Sequence, residues 1–372
     1  MMGTEAYIVS GARTPVAPRN GFLKGIDIYT LGEAAASFCL AKAGIEFDKV
    51  DEIIVGNVLG PGGNPGRVIS LQLGLSETTP GITIDRQCAS GLDAILLAKS
   101  LITGRLAEVV LVGGVESYSQ RPRVYLQKNG EYDDRPMDQA PFTPWNDKDP
   151  DMIKAANDLA EKYSLTREDQ DLWAIESHGK AWANKDRLQE EMSIIQDIPR
   201  MDQFTRNLTM KACQKIAPIC GTITPANTSV AADGAAFVLV VSEKIANELN
   251  APRVRIASGL TVGSDPMIPG LATIPAIREV LKMEGLNRGS ILVYEIMEAF
   301  SAQVLACLKD LDLDPTRVNI GGGSLARGHP IGASGTILAV RLFHELMVSG
   351  GFGLASIPSA GGIGTAIIFE WE

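Results

Sequence analysis

Cysteine is sparse and poorly placed for structural work. The five in 372 residues (Cys39, Cys88, Cys213, Cys220 and Cys307) are odd in number, widely spaced and include no CxxC pair. That spacing excludes a disulfide framework and a zinc-ribbon arrangement, and leaves packing or thiolate chemistry as the uses of a cysteine here. Basic residues are outnumbered, 34 Lys and Arg against 44 Asp and Glu, for a net charge of −10. Nucleic acid and an anionic membrane surface both need a basic field and fit this charge poorly, although a local basic patch for a small phosphate ligand is compatible with it. The N-terminal MMGTEAYIVSGARTP has no basic segment leading into an apolar one, and no apolar run approaches the roughly 18 residues of a membrane span. A cytoplasmic protein is therefore expected.

What is plentiful is apolar residues, 45% of the chain, and glycine, 38 positions, enough for a large core divided between two domains. From YIVS (7–10) to EVVLVGG (108–114) short β-branched runs alternate with helical stretches, among them TLGEAAASFCLAKAG (30–44) and ASGLDAILLAKSLITG (89–104). The alternation predicts a largely parallel sheet covered by helices on both faces. Residues 120–224 turn polar and proline-rich and read as an insertion, with one good helix after a Thr166/Asp169 capping-box pattern. From 253 the first alternation repeats, through ILVYEI (291–296), SAQVLACLKDL (301–311) and SGTILAVRLFHELMVSG (334–350) to GTAIIFEWE (364–372). A local echo, CASG (88–91) against GASG (332–335), points to an internal duplication. The domains expected are 1–250, containing the insertion at 120–224, and 251–372.

Ligands in open α/β sheets sit beyond the carboxyl ends of the strands. Read that way, four loops converge: Cys88 after GITI, Met297-Glu298-Ala299-Phe300 after LVYEI, His329 after VNI, and Pro358-Ser359-Ala360-Gly361-Gly362 after GLASI. A cysteine at a helix start faces unpaired N–H groups and the positive end of the dipole, which favour the thiolate; the competing reading is a small core residue. His329 tips the balance, because it is one of three histidines and lies in the glycine-dense GGGSLARGHPIGASG (321–335). His178 and His344 fall on helices, His344 beside Arg341 and Glu345 on what reads as a polar face. Cys39 and Cys307 fall in apolar helical patterns and read as core, and Cys213 and Cys220 receive no role. No glycine run matches GxGxxG or GxxxxGK[ST], which argues against nucleotide-hydride or NTPase chemistry.

Nearly end to end, the chain resembles the thiolase family, which makes and breaks carbon–carbon bonds in 3-ketoacyl-CoA thioesters. The resemblance is carried by VSGARTPV (9–16), DRQCASGLDA (85–94), VGGVES (112–117), LTREDQD (165–171), GTITPANTS with DGAA (221–236), MEAF (297–300), GHPIGASG (328–335) and GGIG (361–364). It implies an α/β fold of two pseudo-symmetric βαβαβαββ halves in a layered α/β/α/β/α core, with a loop domain inserted in the first half. It implies Cys88 as acyl-accepting nucleophile, His329 as the base that activates it, and backbone N–H groups of Cys88 and Ala360 as the oxyanion hole. Glu298 would support the site loop, and Ser258, Met152 and Phe300 would lie along the substrate's path. No metal and no cofactor beyond the coenzyme A thioester itself is implied. A homodimer is expected, with a tetramer as the second choice because the insertion lacks the family's usual tetramerisation loop.

Two departures matter. Thiolases usually show Asn where this chain has Met297, and a catalytic acid/base cysteine where it has Pro358; Ala299 does not supply a cysteine either. Acyl transfer through Cys88 is intact on paper, while the carbon–carbon half-reaction lacks its proton-transfer group. The expectation is an acyl-CoA acyltransferase acting on acetyl-CoA or 3-ketoacyl-CoA in fatty acid metabolism. The alternatives are an enzyme of altered chemistry, such as thioester hydrolysis or an unusual condensation, and a non-catalytic CoA-binding subunit that works with a partner protein.

Overall fold

The computed structural model describes residues 4–137, 139–145, 147–249 and 251–371. The first half runs β1 (Ala6–Arg13), α1 (Ile28–Ala43), β2 (Glu52–Gly56), α2 (Pro65–Gln72), β3 (Gly81–Ile84), α3 (Ser90–Thr103) and β4 (Val109–Glu116). The insertion follows, with α4 (Met152–Lys162) and α5 (Arg167–Ala183), and the half closes with β5 (Ala232–Ser242). The second half runs β6 (Val254–Gly263), α6 (Thr273–Met283), β7 (Ile291–Ile296), α7 (Ser301–Leu311), α8 (Ile331–Ser349), β8 (Gly351–Ser359) and β9 (Ile363–Trp371).

The strands join in the order β7-β8-β9-β6-β1-β5-β4-β2-β3, the halves meeting where Tyr7 and Ile8 pair with Arg255 and Val254. In the second half the place of β3 is taken by a single bridge, Tyr294 to Val318. The sheet is less parallel than the alternation predicted. Pairing is parallel for β2 with β3 and β4, and for β7 with β8, but antiparallel for β5 with β1 and β4, and for β9 with β8 and β6. The reason is connectivity: β8 reaches β9 through three residues, too few for a crossover helix, and β5 enters from the insertion.

Burial explains the layering. The eight residues of β4 and the eleven of β5 are buried throughout, as expected of strands covered on both faces. Their alternate side chains divide between two apolar clusters, one with α1 and one with α3 and α8. The strands of the second half divide in the same way, between the α3/α8 cluster and one that includes α6 and α7. The layers are thus α1 with α2, the first half-sheet, α3 with α8, the second half-sheet, and α6 with α7.

The insertion leaves the first half and covers the second: α4 and α7 share a cluster, and Trp173 and Ala174 of α5 join that of α6 and α7. The capping box of α5 forms as its sequence pattern predicts, with Thr166 and Asp169 each serving the other's backbone N–H.

Two expectations are corrected at α8. Its 19 residues are long and apolar enough to cross a membrane by length and composition, and 78% of the qualifying window is buried inside the protein, between the two half-sheets. Nor do Arg341, His344 and Glu345 form a polar surface. Arg341 bonds Glu191 and Glu345, and Glu191 in turn holds Arg13, which also forks onto Asp202 at 2.7 and 3.0 Å. These five charged groups are all at least 95% buried, and His344 faces the Gly11 carbonyl at 3.0 Å.

Candidate active site

Cys88 and His329 meet because the helices that follow them touch. A Cβ at Gly91 would stand 2.5 Å from Thr336 Oγ1, and one at Gly335 2.3 Å from the Leu92 nitrogen. Only glycine lets α3 and α8 approach so closely, and that gives the CASG/GASG echo its physical content. His329 Nε2 then lies 3.3 Å from Cys88 Sγ.

The rest of the histidine environment sets its tautomer. Ser334 Oγ donates to the Pro330 carbonyl at 2.9 Å, so at 2.7 Å from His329 Nδ1 it accepts the ring N–H. Nε2 is left with its lone pair toward the sulfur. Burial lowers the His329 pKa to about 4, so the ring is neutral at physiological pH.

Cys88 departs from what a helix-start position predicted. α3 begins at Ser90, two residues later, and the N–H groups of Ala89 and Ser90 are already bonded to the Arg86 and Gln87 carbonyls. Burial pushes the thiol up to about 12, against the backbone N–H groups of Ala360 and of Cys88 itself, which favour the thiolate; the charges of Glu116 and Asp85 raise it further. The residue is half-buried and sits on a tight turn, with Gln87 at φ 49°, Asp85 accepting from the Gln87 N–H at 2.8 Å and Ser90 accepting from the Arg86 N–H at 2.8 Å. A non-glycine residue in that region costs energy, and these side-chain bonds stabilise it.

Ala360 is held opposite by the β8–β9 turn. Gly362 has φ 73° and its Cβ position lies 2.5 Å from the Ser264 carbonyl, so the turn requires glycine there. The backbone N–H groups of Ala360 and of Cys88 itself act on the sulfur in favour of the thiolate, and these are the two groups expected for the oxyanion hole.

A cavity of about 40 Å³ opens beside Cys88. Met152, Leu159, Phe300, Gln303, Pro358 and Ser359 are among the residues lining it, and the wall is almost wholly apolar. Among the described residues lining it, Cys88 alone has a titratable side chain. Ser359 is turned aside, its hydroxyl donating to the Arg86 carbonyl at 2.7 Å. Met297 is buried in the central cluster, with Ser324 Oγ 3.5 Å from its sulfur.

Glu298 does not face the cavity. It is fully buried and accepts from Trp173 Nε1, Ser177 Oγ, Asn319 Nδ2 and the Leu325 N–H at 2.7–3.2 Å, tying the insertion to the second half behind the site. Ser258 does not line the cavity either. It lies mid-strand in β6 opposite Ile368, short of the strand's carboxyl end, with its hydroxyl buried and unpartnered.

Three residues given no role from sequence also build the site. Ser334 stands within GHPIGASG, a motif used there as an echo of CASG and for the family resemblance. Ser229 hydrogen-bonds the Glu298 carbonyl at 2.7 Å, and its neighbours Thr228 and Ala231 bridge to Phe300 and His329. Glu116, at the end of β4, accepts the N–H groups of Val58, Leu59 and Gly332, anchoring the first turn of α8.

Comparison with known proteins agrees with this architecture. The thiolase N-terminal domain family matches residues 6–244 and the thiolase C-terminal domain family residues 250–371. A Bacillus subtilis protein named as an acetyl-CoA C-acetyltransferase, YhfS, is 37% identical over 376 residues, covering 98% of this chain and 99% of its own. Human mitochondrial 3-ketoacyl-CoA thiolase superposes with a TM-score of 0.90 at 32% identity, over 99% of both chains. Acat5 thiolase from Ascaris suum, solved with coenzyme A, gives 0.91 at 30% identity over 99% of this chain and 100% of its own. With both halves matched along their whole length and the fold reproduced, the chain belongs to the thiolase family and is an acyltransferase.

Proposed function

We propose that the protein transfers acyl groups to and from coenzyme A through a thioester on Cys88, with acetyl-CoA or a 3-ketoacyl-CoA as donor. The observation that carries this reading is the 3.3 Å approach of a neutral His329 Nε2, its lone pair free, to the Cys88 thiol. Because cysteine and histidine are both neutral at rest, the base takes the thiol proton as sulfur attacks the thioester carbonyl. The N–H groups of Cys88 and Ala360 would then donate to the oxygen on which charge develops. Collapse expels the CoA thiolate, which recovers the proton from His329, and the reverse sequence hands the acyl group to a second thiol.

The cavity supports acyl transfer better than carbon–carbon chemistry. Pro358 stands in its wall, Ser359 is turned aside and Met297 has no group to hold a water, so among the described lining residues no side chain besides Cys88 offers a base for the acyl α-carbon. Incubation with acetyl-CoA followed by intact-mass and peptide analysis tests the reading: a 42 Da adduct (roughly, on the order of one acetyl group) on Cys88 is expected. No adduct on Cys88 would overturn it.

A further inference from the structure

The turn that carries Cys88 and the turn that carries Ala360 belong to different halves of the chain, and one side chain ties them directly. Ser359 is the last residue of β8, paired with Ile363 across the three-residue turn to β9. Strand alternation places it on the same face as Ile357, which packs in the α3/α8 cluster, so its side chain turns toward the segment that enters α3. There its hydroxyl donates to the Arg86 carbonyl at 2.7 Å. Apart from the Ala360 N–H acting on the Cys88 sulfur, no other hydrogen bond among the described residues joins residues 85–90 to residues 357–362. Arg86 is fastened a second time, less directly: its guanidinium pairs with Asp93 at 2.8 Å, and Asp93 accepts from Thr365 of β9 at 2.8 Å.

The serine bond is not required to satisfy the carbonyl it reaches. The Arg86 carbonyl already accepts the Ala89 N–H at 3.1 Å, so removing the hydroxyl strands no buried acceptor. What the bond fixes is spacing. Ser359 directly precedes Ala360, and Arg86 lies two residues before Cys88, so the bond holds the segments bearing the two N–H groups against each other. It does so at a turn with Gln87 at φ 49°, a strained backbone of the kind that persists only when its surroundings over-determine it.

We propose that Ser359 is a positioning residue for acyl transfer: by holding the Arg86 carbonyl, its hydroxyl sets the spacing between the N–H groups of Cys88 and Ala360, and with it the fit of the oxyanion hole. The inference rests on acyl transfer through Cys88. Charge develops on the thioester oxygen both when Cys88 is acylated and when coenzyme A discharges it, so both steps depend on that spacing. Iodoacetamide is attacked at a saturated carbon and develops no such charge. Loss of a whole oxyanion-hole donor costs about a hundred- to a thousandfold in rate, and a donor displaced by a fraction of an ångström forfeits part of that.

The experiment compares wild type, Ser359→Ala and Ser359→Thr in single-turnover loading of Cys88 from acetyl-CoA, discharge of the acetyl group by coenzyme A, and alkylation by iodoacetamide. Ser359→Ala is expected to slow loading and discharge alike by about tenfold, with the half-saturating acetyl-CoA concentration unchanged, and to leave alkylation within about twofold of wild type. Ser359→Thr keeps a hydroxyl at the position and should recover both steps to within about threefold. Alkylation that falls in step with loading overturns the proposal, by showing that the bond supports the thiol itself and not the hole. Unchanged loading in Ser359→Ala overturns it by showing that the spacing holds without the bond, and a threonine variant as slow as the alanine one by showing that the hydroxyl is not what matters. A wild type that acetyl-CoA does not load overturns acyl transfer through Cys88, and the positioning role with it.

Discussion

His329 Nε2 stands 3.3 Å from Cys88 Sγ while its Nδ1 is bonded to Ser334 Oγ at 2.7 Å, so the serine decides which ring nitrogen meets the thiol. The Pro330 carbonyl fixes the serine in turn, by accepting its hydrogen bond. The base is therefore oriented by the first turn of the helix that follows it.

Removing that control should slow acylation without removing the base. Ser334→Ala frees the ring to place its proton on either nitrogen, and the fraction with Nε2 unprotonated falls. Single-turnover loading of Cys88 by acetyl-CoA is expected to slow by about tenfold, within the range of a lost hydrogen bond at a buried group. A His329→Asn variant should lose about a hundredfold or more. Equal losses in the two variants would show that Ser334 does something beyond orienting the ring.

The pH dependence follows from two shifts with one cause. Burial raises the Cys88 thiol to about 12 and lowers His329 to about 4, so at neutral pH the pair is thiol and imidazole. Alkylation of Cys88 by iodoacetamide should be slow at pH 7 and climb through pH 9 without a plateau. Acyl loading needs neutral His329 and should hold level from pH 8 to 5, falling as pH drops through about 4 while circular dichroism shows the fold intact. An alkylation midpoint near pH 6 would instead reveal a resting thiolate–imidazolium pair.

Much of this arrangement was legible in the residue order, and the failures at single residues share one origin. Strand–helix alternation repeats in both halves because each strand is a short β-branched run and each helix a longer small-residue run, so the fold class could be read locally. Cys88 and His329 could be paired because each precedes a glycine-bearing helix start. What could not be read depends on what packs around a residue. The thiol's upward shift comes from burial, which no local pattern carries. Arg341 and Glu345 looked like a polar face because spacing does not distinguish solvent from a second buried charge. Ser258 looked like a site residue from its motif, but the pairing register leaves it mid-strand opposite Ile368.

Glu298 should prove structural in behaviour. Its carboxylate receives four donors from Trp173, Ser177, Asn319 and Leu325; Glu298→Ala leaves three of them buried without an acceptor and Asn319 Nδ2 with the Ile296 carbonyl alone. Orphaned buried donors cost about 1–3 kcal/mol each before relaxation, so a loss of about 3 kcal/mol in urea unfolding is expected. A loss below about 1 kcal/mol would mean that the donors find water or new partners.

Pro358 is where a gain of function is expected. It lines the cavity with Cys88 at the end of β8, and among the described lining residues no second titratable side chain stands near the acyl group. Transfer of acetyl groups between thiols should therefore outpace thiolysis of acetoacetyl-CoA in the wild type. Pro358→Cys puts an ionisable thiol in that wall, and a positioned acid/base group is worth about a hundredfold or more in rate. Thiolysis should rise by about a hundredfold at most, since Met297 still leaves the enolate oxygen without a water. Pro358→Ala separates chemistry from room: it opens the same space without a proton carrier and should leave thiolysis at the wild-type rate. If the alanine variant matches the cysteine variant, the proline was limiting access to the acyl group, and proton transfer was never the missing element.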